Sequence, residues 1–266
     1  MSGAPLIIRP RAGGLRTFVP DTLLLTRRHL LRTARTPQII VLSAITPIMF
    51  VLLFRYVFGG SIHVPGYANY VDYLMPGIIV QTALFGGSSS AVGVADELSA
   101  GTTDRFRSLP TNRAAILASR TLADLLRLAY TMALVVAVGL LVGFRFHTGP
   151  AQAIAGFAIA LLFGFACAWL FTLLGLLVRN VESATLAGFL LTFPLVFASS
   201  AFTSPATMPH WLRTFADAQP VTQVANALRA LTHGGPAHSS AVHAIAWSAA
   251  LLVVAATLAT LRFRKG

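Results

Sequence analysis

The sequence predicts an all-α polytopic membrane protein with six transmembrane helices, both termini in the cytosol, an N-terminal interfacial helix and short outer helices before the last span. Three observations predict it. Hydrophobic residues make up 56% of the 266 and charged residues only 11%, against about 25% charged in a soluble domain. Mean hydropathy is +0.74, and the apolar residues fall in runs long enough to cross ~30 Å of hydrocarbon. The basic residues are distributed one-sidedly around those runs.

The polar lead 1–20 is rich in Arg, Gly and Pro and lacks periodicity, so it is expected to be irregular and cytosolic. Residues 21–36 follow as an amphipathic helix, with Asp21 as N-cap and Pro37 as stop. Leu23, Leu30 and Ala34 share one side, and Arg28, Arg32 and Arg35 another. Arg27 falls in the apolar arc and snorkels. Such a helix lies on the inner surface of a lipid bilayer. Arg27-Arg28 faintly resembles an export signal, but no cleavage site follows and more spans come after.

The spanning domain is expected over 38–261, with spans near 38–58, 71–94, 122–144, 151–178, 183–203 and 241–261, and a cytosolic tail at 262–266. With the N-terminus inside, only Arg55, Arg145, Arg213 and Arg229 of the twenty basic residues fall outside. Asp124 and Arg127 lie three apart in the first turns of the third span and can pair near the headgroups. Gly156, Ala160, Gly164 and Ala168 form a small-residue ridge for helix packing or a dimer interface. Pro194 frees the carbonyl of Leu190, which Thr192, Ser199 and Ser200 can satisfy. Gln81, Thr192 and Ser199 are candidates for a substrate path. The outer segment 204–240 carries two short helices, with Trp211 at interfacial depth and Pro220 opening the second. Its apolar face is Val221, Val224, Ala225, Leu228 and Leu231, and Gly234-Gly235 end it.

Several classes are excluded. Lys265 is the only lysine and is followed only by Gly266, so there is no P-loop and no ATP site of that kind. The net charge of +12 is scattered between apolar runs, which argues against nucleic acid as partner. Cys167 is a lone packing residue. Ser88–Ser90 and His243 sit at different depths and form no catalytic dyad. His63, His147, His210, His233, His238 and His243 are read as polar loop residues and no metal site is expected, because their spacing lines no single helical face. Asp72, at the outer mouth of its span, is placed to contact a basic substrate or Arg55, and a local ion pair is the expected outcome. No span carries a charge near its middle, which counts against an ATP-independent secondary transporter or channel.

The polar stretch 95–121 stands apart. Pro110 divides it into a contact segment and a helix, 112–127, continuous with the third span, with Thr111 or Asn112 as cap. Phe106 between Arg105 and Arg107 suits docking into a pocket on a partner.

Two stretches carry a family resemblance. The first is Glu97 to Arg113, with Glu97, Gly101, Thr102, Asp104, Arg105, Phe106, Leu109, Pro110 and Arg113. The second is Met208 to Leu231, with Met208, Pro209, Trp211, Leu212, Pro220, Ala225, Leu228 and Arg229. Together with the amphipathic lead, they resemble the permease subunit of an ABC exporter, of the type-2 family that includes daunorubicin-resistance permeases. Gln219 departs mildly, standing where many relatives have Asn. The resemblance implies a second permease copy or a sister permease, and a separate cytosolic ATPase subunit that holds ATP and Mg; no cofactor is expected in this chain. It also implies that 95–121 and the N-terminal helix contact the ATPase. The coupling residues are then Glu97, Gly101, Asp104, Arg105, Phe106, Arg107, Pro110 and Arg113. Substrates of such proteins are drugs, natural products, lipids or lipid-linked glycans, and the drug or natural-product version is expected here, at the cell membrane.

Overall fold

The structure, a computed structural model, describes residues 15–34, 37–59, 64, 66, 67, 69–99, 113–178 and 180–265. All regular structure among them is helical: α1 (Leu15–Ala34), α2 (Pro37–Leu53), α3 (Tyr70–Ser99), α4 (Arg113–Leu141), α5 (Pro150–Val178), α6 (Val181–Phe197), α7 (His210–Ala218), α8 (Pro220–His233) and α9 (Ala237–Lys265). A π-helical turn, Phe54–Phe58, extends α2, and a 3₁₀ turn, Pro205–Thr207, precedes α7.

Helix α3 is the centre of the fold. It packs on α5 above all, and on α6, α4, α8 and α2. Small residues make these approaches close. A Cβ on Gly87 would lie 2.9 Å from the Cβ of Cys167 on α5, and one on Gly175 would lie 2.5 Å from the Ala91 carbonyl oxygen. One on Gly77 would meet the Ala201 carbonyl oxygen at 1.9 Å. That neighbour is backbone and cannot swing aside. Gly77→Ala is therefore expected to destabilise the protein by about 2–3 kcal/mol, as overpacking does. Unfolding in mild detergent measures it, and a melting point equal to wild type would show that α3 does not approach the connector at Ala201.

Among the described residues, four helices are long and apolar enough to cross a membrane: Tyr70–Ser99, Ala118–Leu141, Pro150–Val178 and Ala237–Phe263. Ser43–Phe58 and Val181–Phe197 are shorter apolar helices. The fifth run, expected to continue to residue 203, stops at Phe197. Side chains and tertiary contacts take over the chain there. Ser199 Oγ donates to the Val196 carbonyl, Ala201 N–H donates to Ser199 Oγ, and Tyr73 Oη donates to the Ser200 carbonyl at 2.8 Å. Of the hydroxyls expected to serve Leu190, those of Ser199 and Ser200 are engaged elsewhere, Ser200 Oγ donating to Asn226 Oδ1, and the buried Thr192 hydroxyl has no partner.

The lead differs from expectation as well. Leu15–Pro20 is already helical, so Asp21 lies inside α1 and not at its start. Packing overrides the weak local signal. Thr22, Leu25 and Thr26 are buried, and Thr26 Oγ1 reaches both the Thr22 carbonyl and the Ser119 carbonyl of α4. Leu23, Leu24 and Leu31 remain exposed, as do Arg27 and Arg28. The side chain of Arg32 and all of Arg35 lie outside the described residues.

Candidate functional site

A cavity of about 230 Å³ lies between α2, α3 and α4. Its apolar wall includes Pro47, Phe85, Gly86 and Leu128. Its polar groups include Ser43, Gln81, Ser89, Asp124, Arg127 and Thr131. The helices set this up by register: Gln81, Phe85 and Ser89 recur every four residues on α3, and Asp124, Leu128 and Thr131 recur at three or four on α4.

Asp124 and Arg127 lie in the first half of α4, within the stretch Ala118–Leu141 that is long and apolar enough to cross a membrane. Charged groups are tolerated there when they are paired. Arg127 Nη2 is 3.4 Å from Asp124 Oδ1 and also donates to Ser89 Oγ. Ser90 Oγ donates to Asp124 Oδ2 at 2.6 Å. Both charged side chains keep about a fifth of their surface, 21% and 19%. They are covered but reachable from the cavity. Gln81 is buried, and its Oε1 has no hydrogen-bond partner. A cavity with an apolar wall, an ion pair and an unspent amide acceptor suits an amphipathic molecule with a polar or cationic group.

At the base of α3 and α4, Glu97 Oε1 lies 2.6 Å from Arg120 Nη1. The guanidinium lies over Gly93, where a Cβ would meet Nη2 at 1.7 Å. His29 of α1 faces the same group. Burial lowers its pKa, Arg120 and Arg28 act in the same direction, and Glu97 and Asp124 oppose them. The start of the 95–121 segment is therefore helical to Ser99 and tied to α4 by the Glu97–Arg120 pair. Gly101, Asp104, Arg105, Phe106, Arg107 and Pro110 lie outside the described residues; Arg113 begins α4, its side chain likewise outside them.

The other proposed residues are distributed as follows. Gln81 lines the cavity, whereas Thr192 is buried on α6 and Ser199 caps the turn after it. Gly156, Ala160, Gly164 and Ala168 are buried within the single chain, with Gly156 against Leu231 and Gly164 against Leu128 and Ala83. Trp211 on α7 is 73% exposed, and Pro220 is the first residue of α8. Gln219 donates through Nε2 to the Ala198 carbonyl, tying the α7–α8 corner to the end of α6.

Arg229 is buried. Its Nε donates to the Tyr73 carbonyl at 3.1 Å, Nη1 to Ser200 Oγ and Asn226 Oδ1 at 3.0 Å each, and Nη2 to the Ser200 and Ala201 carbonyls at 2.6 and 3.2 Å. The guanidinium carbon stands 3.7 Å from the Tyr73 ring centroid. This node fastens α8 and the connector after α6 to α3.

Asp72 does not pair with Arg55. It accepts from the Arg145 backbone N–H at 3.2 Å and lies 3.5 Å from His233 Nε2. Nor do the histidines all remain separate. His147 and His233 converge on Asp72, their ligand atoms all within 4.8 Å of one another. Three different elements supply these residues, so no spacing along the chain signals the convergence.

The family model of the ABC-2 type transporter matches residues 20–232. The chain is 31% identical over 248 residues to the daunorubicin resistance ABC transporter permease protein DrrB1 of Streptomyces coeruleorubidus, covering 93% of this chain and 87% of that one. It is 28% identical over 263 residues to the probable doxorubicin resistance ABC transporter permease protein DrrC of Mycobacterium tuberculosis, covering 98% and 95%. A putative transport permease, ycf38, of Cyanophora paradoxa is 24% identical over 217 residues, covering 80% and 74%. With its long apolar helices and these matches over nearly all its length, the chain belongs to the ABC-2 type transporter family, as a multi-pass permease of the plasma membrane.

Proposed function

We propose that the chain is the membrane-spanning subunit of an ATP-driven exporter of an amphipathic drug or natural product, crossing the bilayer six times with both termini cytosolic. The cavity between α2, α3 and α4 is the observation that supports this reading. It offers an apolar wall, the Asp124–Arg127 pair and the unspent Gln81 oxygen part-way along two spans. A cationic substrate competes with Arg127 for Asp124, exchanging one ion pair for another at little cost. A separate ATPase subunit binds ATP and Mg, and a second permease copy or sister permease completes the pathway.

Coupling runs through the base. ATP-driven closure moves the 95–121 segment, and α4 transmits the motion because it is one continuous helix from Arg113 to Leu141. The Glu97–Arg120 pair makes α3 follow α4. Phe106→Ala is expected to abolish substrate-stimulated ATP hydrolysis when the chain is co-reconstituted with its ATPase, while leaving insertion and folding intact. Normal stimulation in that variant would remove the docking role. Failure of any ATPase to co-purify from native membranes would overturn the ATP-driven reading itself.

A further inference from the structure

The Asp72, His147 and His233 cluster is built to a degree that a chance meeting of polar residues is not. Asp72 is in the first turn of α3, His147 is in the α4–α5 connection and His233 is the last residue of α8. Each element is fixed to the next. His147 N–H donates to the Thr232 carbonyl at 2.8 Å, and Thr148 Oγ1 donates to the Leu231 carbonyl. Arg145 N–H donates to Asp72 Oδ1. Gly234, at φ +90°, turns the chain away directly after His233, a backbone conformation that L side chains rarely adopt.

The hydrogen bonds also determine the tautomer of His233. Thr232 Oγ1 has one proton and donates it to the Leu228 carbonyl at 2.8 Å. Toward His233 Nδ1, 2.9 Å away, it therefore acts as acceptor, so Nδ1 carries the ring proton. The neutral ring then points a bare Nε2 lone pair at the Asp72 carboxylate, 3.5 Å away, and this buried nitrogen has no hydrogen-bond partner. Two electron-rich atoms held face to face repel each other unless a cation lies between them.

A proton on Nε2 is one such cation, but a proton gives no role to His147, whose ring centroid is 4.8 Å from that of His233. Neither neighbouring guanidinium is spent on Asp72. That of Arg145 donates to the Leu140 and Phe144 carbonyls, and that of Arg229 to the node around Ser200. We infer that Asp72, His147 and His233 form a site for one divalent transition-metal ion of the zinc type, which clamps α8 and the α4–α5 connection onto the start of α3. Tetrahedral zinc holds its nitrogen and oxygen ligands roughly 3.4 Å apart. Nε2 of His233 and Oδ1 of Asp72 already stand at that distance. His147 is exposed, and its ligand atom lies within 4.8 Å of the other two. Two imidazoles and one carboxylate select zinc-like ions over magnesium or calcium, which prefer all-oxygen shells. A water molecule takes the fourth position. The Nδ1–H···Oγ1 bond of His233 to Thr232 is the outer-shell support that metal-ligating histidines generally have.

The test is titration of the full chain, purified in detergent after chelator treatment, with zinc chloride, and in parallel with magnesium and calcium chloride. One zinc per chain, a raised unfolding midpoint and no response to the other two ions are expected. His147→Ala, a change at an exposed position, is expected to weaken zinc binding at least tenfold, and Thr232→Val by about tenfold or more through loss of the outer-shell bond. His238→Ala, at an exposed histidine outside the cluster, is expected to change nothing. Absence of saturable zinc binding overturns the site. So does wild-type affinity in His147→Ala, or loss of binding in His238→Ala, either of which assigns the zinc to surface histidines. Zinc binding measured this way is independent of what the protein transports.

Discussion

Arg229→Ala is expected to cost the protein about 3–5 kcal/mol, the range for breaking a buried charged network by removing one partner. Arg229→Lys is expected to recover less than half of that. The guanidinium fork serves acceptors on α3, on the connector after α6 and on α8 itself, while its plane stacks on Tyr73. Lysine keeps the charge but has neither the planar fork nor the stacking face. With alanine, the Ala201 carbonyl loses its guanidinium donor in a buried place, at about 1–3 kcal/mol for a group left unsatisfied, and the Ser200 carbonyl keeps only the Tyr73 hydroxyl. Gly77 presses against the same Ala201 carbonyl from α3, so the connector has nowhere to relax. Denaturant unfolding in mild detergent measures the loss. Equal midpoints for wild type and Arg229→Ala would show that the node holds nothing together.

Asp124→Asn is expected to reduce transport of a cationic amphiphile at least tenfold, mainly by raising KM, while a neutral amphiphile of similar size loses much less. The amide keeps the shape and can still accept from Ser90, but it removes the one carboxylate in the cavity lining. Arg127 then stands uncompensated and repels a cation. The attendant loss of stability is modest, about 1–2 kcal/mol, because the pair is partly open to the cavity and Ser89 still accepts from Arg127. Uptake into inside-out vesicles, with paired cationic and neutral probes, reads the difference. Equal losses for both probes would remove charge recognition from Asp124.

The long helices were legible because their apolar runs exceed what a membrane needs, as in α5 and α9. Their ends were less so. The lead 1–20 gave no periodic signal, yet α1 already covers Leu15 to Pro20, because Thr22, Leu25 and Thr26 find α4 to pack on. Half of the cavity was visible: Gln81 and the Asp124–Arg127 spacing could be read from the chain, but the partners of that pair, Ser90 34 residues from Asp124 and Ser89 38 residues from Arg127, could not. Arg229 reads in sequence as one more outer basic residue. Only the convergence of neutral carbonyls shows that it is buried, and such acceptors leave no mark on residue type. The same holds for Asp72, which chose a backbone amide and an imidazole from distant elements over Arg55.

Helix α6, of 17 residues, rises only about 25 Å at 1.5 Å per residue. Central α3, of 30 residues, rises about 45 Å. On the six-span reading, α6 presents less apolar length than a typical ~30 Å hydrocarbon core, so lipids beside it must compress or its flanks must snorkel. The bilayer is then thinnest next to α6. Acyl-chain length thus becomes a control on this protein, with short-chain lipids favouring it and long-chain lipids working against it.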